Sequence, residues 1–463
     1  MRVTSSQSVA QSVTFRPKQR VEGLVSPPIA RYVLAVSLLL NILIVFVLIP
    51  SLSHKISPDY NQGRFTDGYD LIAANLADGH GYRFYPDTAP TMMREPGYPL
   101  LLAGIYVVFG QSFFVVKCAN LLFAILTALL IRSLTSLVVR PPRDMGVFTG
   151  DLAASLFLIH PGILIAESRG GVEVLFALLL ALFVFLLMKA YTSGSLLQFG
   201  TAGMILGLTV LVRSTPLLVP VFLLPFWPRL QRQGRSMAQV LMRVSALVLP
   251  MLLVLLPWTI RNYRLTHQVV PTASVLGVSA QAGQYINAEL WSGRPVWLLD
   301  REASRIRDHI AEQLGYQFED GANGYYQTFY DPQNELRFSR YLFQAVKARY
   351  RQDPLLLLRC ILQNAFNFWF GGRTWFATIA NVFVQLPYLF FAWIGIGSLK
   401  RRGYLVNSLP SLVLIGAVFL VHLPILAQAR YSIPFIPLIA ILCVAGLTGR
   451  RWAVDAASSS LPA

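Results

Sequence analysis

The chain has 463 residues, of which 55% are hydrophobic and only 13% are charged. A soluble globular protein carries charge on about a quarter of its residues, so the composition excludes that class. The net charge of +17 is explained by the excess of basic residues on the cytoplasmic side of membrane proteins, and we expect no nucleic-acid partner.

The first apolar segment, residues 32–50, contains no charged residue. A helix of that length covers roughly 28 Å at about 1.5 Å per residue, close to the thickness of a bilayer core. We therefore predict an all-α polytopic membrane protein with about ten transmembrane helices. The nine further spans are predicted at 113–136, 148–166, 172–190, 196–212, 215–228, 240–258, 376–397, 405–425 and 431–449.

Basic residues in the N-terminal tail and in the short loops orient these spans, because such residues stay on the cytoplasmic side. Both termini are then cytoplasmic. Residues 98–109 are too few to span, and the polar residues within 354–370 favour a helix lying in the membrane interface. The predicted regions are a disordered tail 1–30, a transmembrane catalytic module 31–258 with an external loop 51–112, an external region 259–375 containing the interfacial helix, C-terminal helices 376–450, and a cytoplasmic tail 451–463.

The first external loop contains a short amphipathic pattern. After Asp67, the apolar residues Tyr69, Ile72, Ala73 and Leu76 have the spacing of one helical face. Asp67 at the start of this helix has two interpretations. It caps free backbone N–H groups, or it is a general base at the membrane surface.

A second acidic position lies at the outer end of the span 172–190, where Glu173 follows a glycine pair. Acidic residues at a membrane edge are costly unless they are paired or functional. Just before it, Glu167 and Arg169 are close enough in sequence to pair with each other at the interface. The sequence leaves open whether these acids are structural or catalytic.

Five basic residues are predicted on the external side, where basic residues are depleted. Such a group indicates an anion site at the membrane surface, for example for a lipid phosphate, where cations would stabilise the departing charge. No metal-ligand spacing is present among the histidines and cysteines, and no phosphate-binding glycine loop occurs. The five residues are Arg94, Lys117, Arg213, Arg261 and Arg430.

Five segments of the chain form a recognisable set: DGYDLIAANL (67–76), REPGYPL (94–100), VEVLF (172–176), PWTIRNY (257–263) and RYSIP (430–434). Together they resemble the GT-C membrane glycosyltransferases, in particular the protein mannosyltransferase and aminoarabinose transferase families. The resemblance extends over about residues 32–449. The family usually places its loop aspartate four residues before the tyrosine, whereas Asp67 is two before Tyr69, so Asp59 and Asp70 stay open as rivals.

This resemblance implies an enzyme that takes a sugar from a polyprenyl-phosphate carrier and passes it, with inversion, to a glycan, lipid or protein acceptor outside the cytoplasm. Asp67 would be the base and Glu173 would assist it. The resemblance also places Asn262 and Tyr431, together with the five basic residues, at the donor. Family members differ in their need for a divalent metal; because arginines are available, we expect no cofactor. The implied location is the cell inner membrane.

Two other functions fit part of the pattern. A transporter or flippase of a lipid-linked anion would carry its charged site near the middle of the bilayer, commonly between repeats. Here the unusual charges are predicted at one membrane face, and no repeat is visible. A structural subunit without chemistry would leave the external arginines unexplained. The pattern therefore favours a transferase.

Overall fold

The computed structural model describes residues 27–56, 67–141, 145–227, 236–320 and 327–458. Within these ranges the regular structure is almost entirely helical, as predicted. Most of the predicted tail 1–30, the candidate Asp59 and residues 459–463 lie outside the described residues.

The helices of the first module follow the predicted apolar segments. A π-helical turn, Ile44–Leu48, joins the first two helices, and 3₁₀ turns flank the tenth. The bounds are α1 Pro27–Leu43, α2 Ile49–Ile56, α3 Tyr69–Ala77, α4 Gly97–Phe109, α5 Phe113–Val138, α6 Gly146–Leu158, α7 Pro161–Ser168, α8 Val172–Ser193, α9 Leu196–Val212, α10 Val219–Leu223 and α11 Met237–Thr266.

The region after α11 is a small helical unit with one antiparallel hairpin, in which Phe318 pairs with Phe329. Three long helices then complete the chain. The bounds are α12 Leu276–Glu289, α13 Val296–Gln313, β1 Phe318–Asp320, β2 Gln327–Phe329, α14 Pro332–Gln352, α15 Pro354–Phe370, α16 Trp375–Arg401, α17 Leu405–His422 and α18 Ile436–Ser458.

Among the described residues, seven helices are long and apolar enough to cross a membrane, and α6 with α7 makes an eighth if that bent pair is one span. The pair bends by 55° at Pro161, whose ring cannot continue the hydrogen-bond ladder. The other two predicted spans, 196–212 and 215–228, are shorter apolar helices. The segment 215–228 contains four prolines, and Pro216, Pro220 and Pro225 each lie at the start of a short helical turn. The chain is thus a multi-pass membrane protein.

The first loop and the region after α11 share one hydrophobic cluster. Ile72 of α3 and Phe84 of the loop pack with Val278 of α12 and Phe338 of α14, all of them buried. Of the apolar face predicted for residues 69–76, Ile72 and Leu76 pack against this later region, whereas Tyr69 and Ala73 belong to the main core cluster. This contact holds the loop over the ends of the spans.

Helix α15 presents two different sides. Leu355, Leu358 and Leu362 are exposed on one side, whereas Cys360 and Asn364 are buried on the other. An exposed apolar stripe is the pattern of a helix lying on a membrane surface. The prediction of an interfacial helix at 354–370 stays a prediction.

Candidate active site at the ends of the helices

Asp67 forms an ion pair with a residue from the far end of the chain. Its Oδ2 lies 2.8 Å from Nη2 of Arg430. The N-cap residue of α3 is Gly68, which adopts φ 72°. No side chain forms a capping hydrogen bond at this end of the helix. The capping interpretation of Asp67 is therefore wrong, because the positive φ of Gly68 turns the chain before the helix begins and the Asp67 carboxylate pairs with Arg430 instead.

The charges around Asp67 determine its protonation state. Burial raises the pKa of this carboxyl, but the positive charges of Arg430, Arg94 and Arg213 outweigh burial and hold the pKa well below its ordinary value. Asp67 is consequently an anion at neutral pH. Its side chain is 17% exposed, so it is accessible from the surface.

The segment around Arg94 fastens the loop to the end of α9. Nε of Arg94 donates to the Asp67 carbonyl oxygen at 2.9 Å, and Oε1 of Glu95 accepts from the Ser214 backbone N–H at 3.1 Å. Gly97 packs so closely that a Cβ there would lie 2.8 Å from the Leu211 carbonyl oxygen. The glycine thus allows the loop to reach the residues around Arg213.

Arg213 follows α9 and pairs with Glu173 of α8, with 2.8 Å between Nη2 and Oε1. Its guanidinium lies over the ring of Tyr431 at 5.4 Å, and that of Arg430 lies 5.5 Å from the same ring. The aromatic ring can interact favourably with both cations. We call Arg94, Arg213 and Arg430 the arginine cluster.

Arg213 and Arg430 each have one side-chain donor without an acceptor. The Nε atoms of Arg213 and Arg430 are buried, and no atom of the described residues accepts a hydrogen bond from either. Leaving a buried charged donor unpaired costs more than about 1–3 kcal/mol. Buried guanidinium donors at an accessible site indicate a place for an anion with several oxygens, such as a phosphate.

The other two predicted cations lie apart from these contacts. Nζ of Lys117 is 5.2 Å from the ring of Phe113. Arg261 donates to the Thr91 carbonyl oxygen at 2.8 Å and stacks on Trp258 at 4.5 Å. These contacts are structural, and the predicted donor contacts of Lys117 and Arg261 stay predictions.

Asn262 is fully buried and uses both ends of its amide within the protein. Its Nδ2 donates to the Val270 carbonyl oxygen at 2.9 Å, and its Oδ1 accepts from Arg261. This geometry fixes the turn after α11. The donor-contact role predicted for Asn262 remains untested.

Two acidic positions differ from their predicted surroundings. Glu167 does not pair with Arg169: its Oε1 accepts from Asn41 of α1 at 3.2 Å, whereas Arg169 is exposed. The bend between α6 and α7 turns Glu167 into the helix bundle, which separates the two charges. Asp70 acts electrostatically on Tyr106 of α4. As a rival base it stays a prediction, as does Asp59.

Sequence reasoning missed several residues of this site. Tyr98, inside the segment 94–100, donates its hydroxyl hydrogen to the Gly170 carbonyl oxygen at 2.5 Å and packs edge-on against Tyr69 at 5.6 Å. Asp300 of α13 lies in electrostatic range of Arg430 and Asp67. The matching segment could have pointed to Tyr98, but residues 259–375 carry no signal for Asp300 beyond its charge.

No group of three or more His, Cys, Asp or Glu side chains in the described part of the chain is arranged to hold a metal ion. The two carboxylates of the site, Asp67 and Glu173, each face an arginine instead.

No protein-family model and no curated protein matches the chain. Among solved structures, the apo oligosaccharyltransferase of Archaeoglobus fulgidus aligns with a TM-score of 0.54 and 15% identity over 93% of this chain and 52% of that one. The same organism's oligosaccharyltransferase AglB, in complex with an inhibitory peptide and a dolichol-phosphate, aligns with a TM-score of 0.52 and 14% identity. That alignment covers 94% of this chain and 52% of the archaeal one.

The chain thus spans about half the length of these archaeal structures. ArnT from Cupriavidus metallidurans, bound to undecaprenyl phosphate, aligns over 95% of this chain and 82% of that one with 14% identity, but its TM-score of 0.34 is too low to bear on the fold. The predicted all-α polytopic membrane fold is confirmed, and the chain shares its fold with about half of each of these archaeal structures.

Proposed function

We propose that this protein is a membrane glycosyltransferase that moves a sugar from a polyprenyl-phosphate carrier to an acceptor on the non-cytoplasmic side, with inversion. One observation carries the proposal: Arg213 and Arg430 keep buried, unused Nε donors beside an ionised carboxylate. Such a site suits a phosphate next to a proton acceptor. The GT-C-like fold supports it.

In the proposed reaction, the donor phosphate accepts hydrogen bonds from Arg213 and Arg430. Because it then competes for the guanidinium of Arg430, it releases the carboxylate of Asp67 from its ion pair. The freed carboxylate takes the proton of the acceptor hydroxyl. As the acceptor oxygen bonds to the anomeric carbon, the bond from that carbon to the phosphate oxygen breaks and its electron pair leaves with the phosphate.

The remaining groups position these reactants. Glu173 holds Arg213 through their ion pair, and Arg94 holds the backbone of Asp67. Attack from the face opposite the phosphate inverts the anomeric centre. Preorganised cations then stabilise the charge that develops on the leaving phosphate.

The arginine cluster offers a source of charge stabilisation other than a divalent ion. We therefore expect transfer to continue after treatment with a chelator and dialysis into metal-free buffer. A loss of transfer that is restored by added divalent ions would overturn this part of the proposal.

The proposed membrane is the cell inner (plasma) membrane, with both termini cytoplasmic and the site external. This placement rests on the distribution of basic residues in short loops. A cysteine introduced at Asp87, an exposed loop residue, should react with a membrane-impermeant maleimide in intact cells. If the cysteine reacts only after the cells are lysed, the loop lies on the cytoplasmic side and the proposed orientation is wrong.

The decisive experiment uses purified protein in liposomes with radiolabelled polyprenyl-phosphate sugars and membrane extract as the source of acceptors. We expect label to move from the carrier to an extract component and free polyprenyl phosphate to accumulate. Movement of intact labelled lipid between leaflets, without transfer to any acceptor, would identify a flippase instead.

A further inference from the structure

The first turn of α13 lies beside the arginine cluster. The backbone N–H of Trp297 donates to the Arg373 carbonyl oxygen at 3.3 Å, and the Gly371 carbonyl oxygen accepts from the Ala429 N–H at 2.9 Å. Ala429 directly precedes Arg430. Two hydrogen bonds through the loop after α15 therefore connect this helix to the residue that pairs with Asp67.

Asp300, one turn further along α13, brings a third carboxylate to this region. It interacts electrostatically with Arg307 and Arg373 and, more weakly, with Arg430 and Asp67. Unlike Asp67 and Glu173, it makes no hydrogen bond and no close ion pair with any described residue. It is only half-buried, so its oxygens can accept hydrogen bonds from a ligand.

Trp297 stands three residues before Asp300, on the same side of the helix. Its side chain is 42% exposed, and its indole N–H meets no acceptor among the described residues. The exposed tryptophans Trp375 and Trp393 belong instead to α16, an apolar helix that can span the membrane. Trp297 is thus an exposed aromatic ring one helical turn from a carboxylate that makes no hydrogen bond, at the edge of the site.

This pair has the chemistry of a carbohydrate subsite. An indole ring offers a flat apolar face at low entropic cost and one hydrogen-bond donor. A carboxylate accepts hydrogen bonds from two neighbouring hydroxyl groups. A phosphate dianion and an acyl chain both lack hydrogen-bond donors, so neither would satisfy the oxygens of the Asp300 carboxylate.

Building on the proposed transferase function, we infer that Trp297 and Asp300 form the subsite for the acceptor and that the acceptor is a saccharide. The indole packs against the sugar ring while the carboxylate accepts from its hydroxyls. The attacking hydroxyl is then held between this subsite and Asp67. The donor phosphate occupies the arginine cluster on the other side.

The test measures transfer in liposomes to three acceptor sets: soluble oligosaccharides, serine- and threonine-containing peptides, and hydroxylated lipids. The variants are Trp297→Ala, Trp297→Phe and Asp300→Asn. Matched controls are Trp393→Ala, an exposed tryptophan on α16, and Glu312→Gln, an exposed acid at the far end of α13. Binding of polyprenyl phosphate and thermal unfolding are measured for every variant.

We expect wild-type transfer to an oligosaccharide, with KM for that acceptor raised about tenfold or more in Trp297→Ala and Asp300→Asn. Trp297→Phe should keep most of the affinity because the ring face remains. Binding of polyprenyl phosphate and the melting temperature should be unchanged, and both controls should behave as wild type.

Three results would overturn the inference separately. Transfer only to peptides or lipids, with Trp297→Ala unaffected, would exclude a saccharide subsite here. Weaker polyprenyl-phosphate binding in Asp300→Asn would assign the residue to the donor. Absence of wild-type transfer to every acceptor would instead reject the proposed function, and the inference with it.

Discussion

Two carboxylates outside the spans, Asp67 and Glu335, are held in opposite ways. Asp67 faces three guanidinium groups, which lower its pKa in spite of burial. Glu335 is 4% exposed and accepts only from neutral donors: the Thr91 hydroxyl at 2.7 Å, the Met92 N–H at 2.9 Å and the Ser274 hydroxyl at 2.5 Å. Burial raises its pKa, and the hydrogen bonds only partly offset this rise.

The difference separates a structural carboxylate from a reactive one. Glu335 joins the first loop to α14 and to the turn before α12, and every partner is internal. Arg430, the partner of Asp67, is 38% exposed and can exchange that carboxylate for a ligand. A buried polar group with fixed neutral partners stabilises the fold, whereas a charged group with an exchangeable partner can take part in chemistry.

The largest effect is expected for Asp67→Asn. The amide cannot accept the acceptor's proton, so kcat for sugar transfer should fall by about 10²- to 10⁴-fold. Binding of polyprenyl phosphate should persist because Arg213 and Arg430 remain. Asp78→Asn, at the exposed C-terminal end of the same helix, is the matched control. If Asp67→Asn turns over at the wild-type rate, Asp67 is not the base, and Asp70 or Asp59 takes that role.

Arg430→Ala should weaken binding of polyprenyl phosphate by about 10- to 100-fold, the loss expected for charge-assisted hydrogen bonds of about 1.5–3 kcal/mol. Arg430→Lys should recover part of the affinity, because the lysine ammonium keeps the positive charge but lacks the planar pair of donors of a guanidinium. Arg169→Ala, an exposed arginine near the same helix ends, is the control. Equal affinities of Arg430→Ala and wild type in a direct binding assay would exclude a phosphate contact.

Glu335→Ala should lower the free energy of unfolding by about 2–3 kcal/mol, because it leaves buried donors of Thr91, Met92 and Ser274 without an acceptor. Glu335→Gln keeps one side-chain oxygen as an acceptor, so it should lower the free energy of unfolding by less than Glu335→Ala does. Both are measured by chemical unfolding in detergent, together with transfer per folded molecule. Loss of transfer without loss of stability would place Glu335 in the active site.

The smallest effect concerns pH. Burial raises the pKa of Glu335 in the folded state above its ordinary value of 4.5. The stability that arises from this shift is therefore fully present below pH 4.5 and is lost as the pH rises through the folded-state pKa. The pKa of Asp67 is instead lowered below its ordinary value of 3.8. Asp67 therefore stabilises the folded state above pH 3.8, and this stabilisation is lost only as the pH falls through the lowered pKa. Melting temperatures from pH 4.5 to 7.5 should therefore decline less in Glu335→Gln than in wild type. Parallel curves would contradict the raised pKa.

Local patterns predicted much of the candidate site. The helix at 69–77, the loop segment around Arg94 and the exceptional cations Arg213 and Arg430 were all identifiable, because charge at the external end of a span is rare enough to be noticed. Lys117 and Arg261 carry the same signal, yet in the described part of the chain neither forms an ion pair with a carboxylate, as Arg213 and Arg430 do. A charge pattern locates a residue at a membrane face without specifying its neighbours.

The sequence by itself determined the membrane class and most of the helices, since hydrophobic length and proline positions act over a few turns. Only the tertiary structure decided the pairings of Asp67 with Arg430 and of Glu173 with Arg213, because their partners lie 363 and 40 residues away. It also brought Trp297 and Asp300 to the site. Such contacts depend on how the helices pack, which no local pattern encodes.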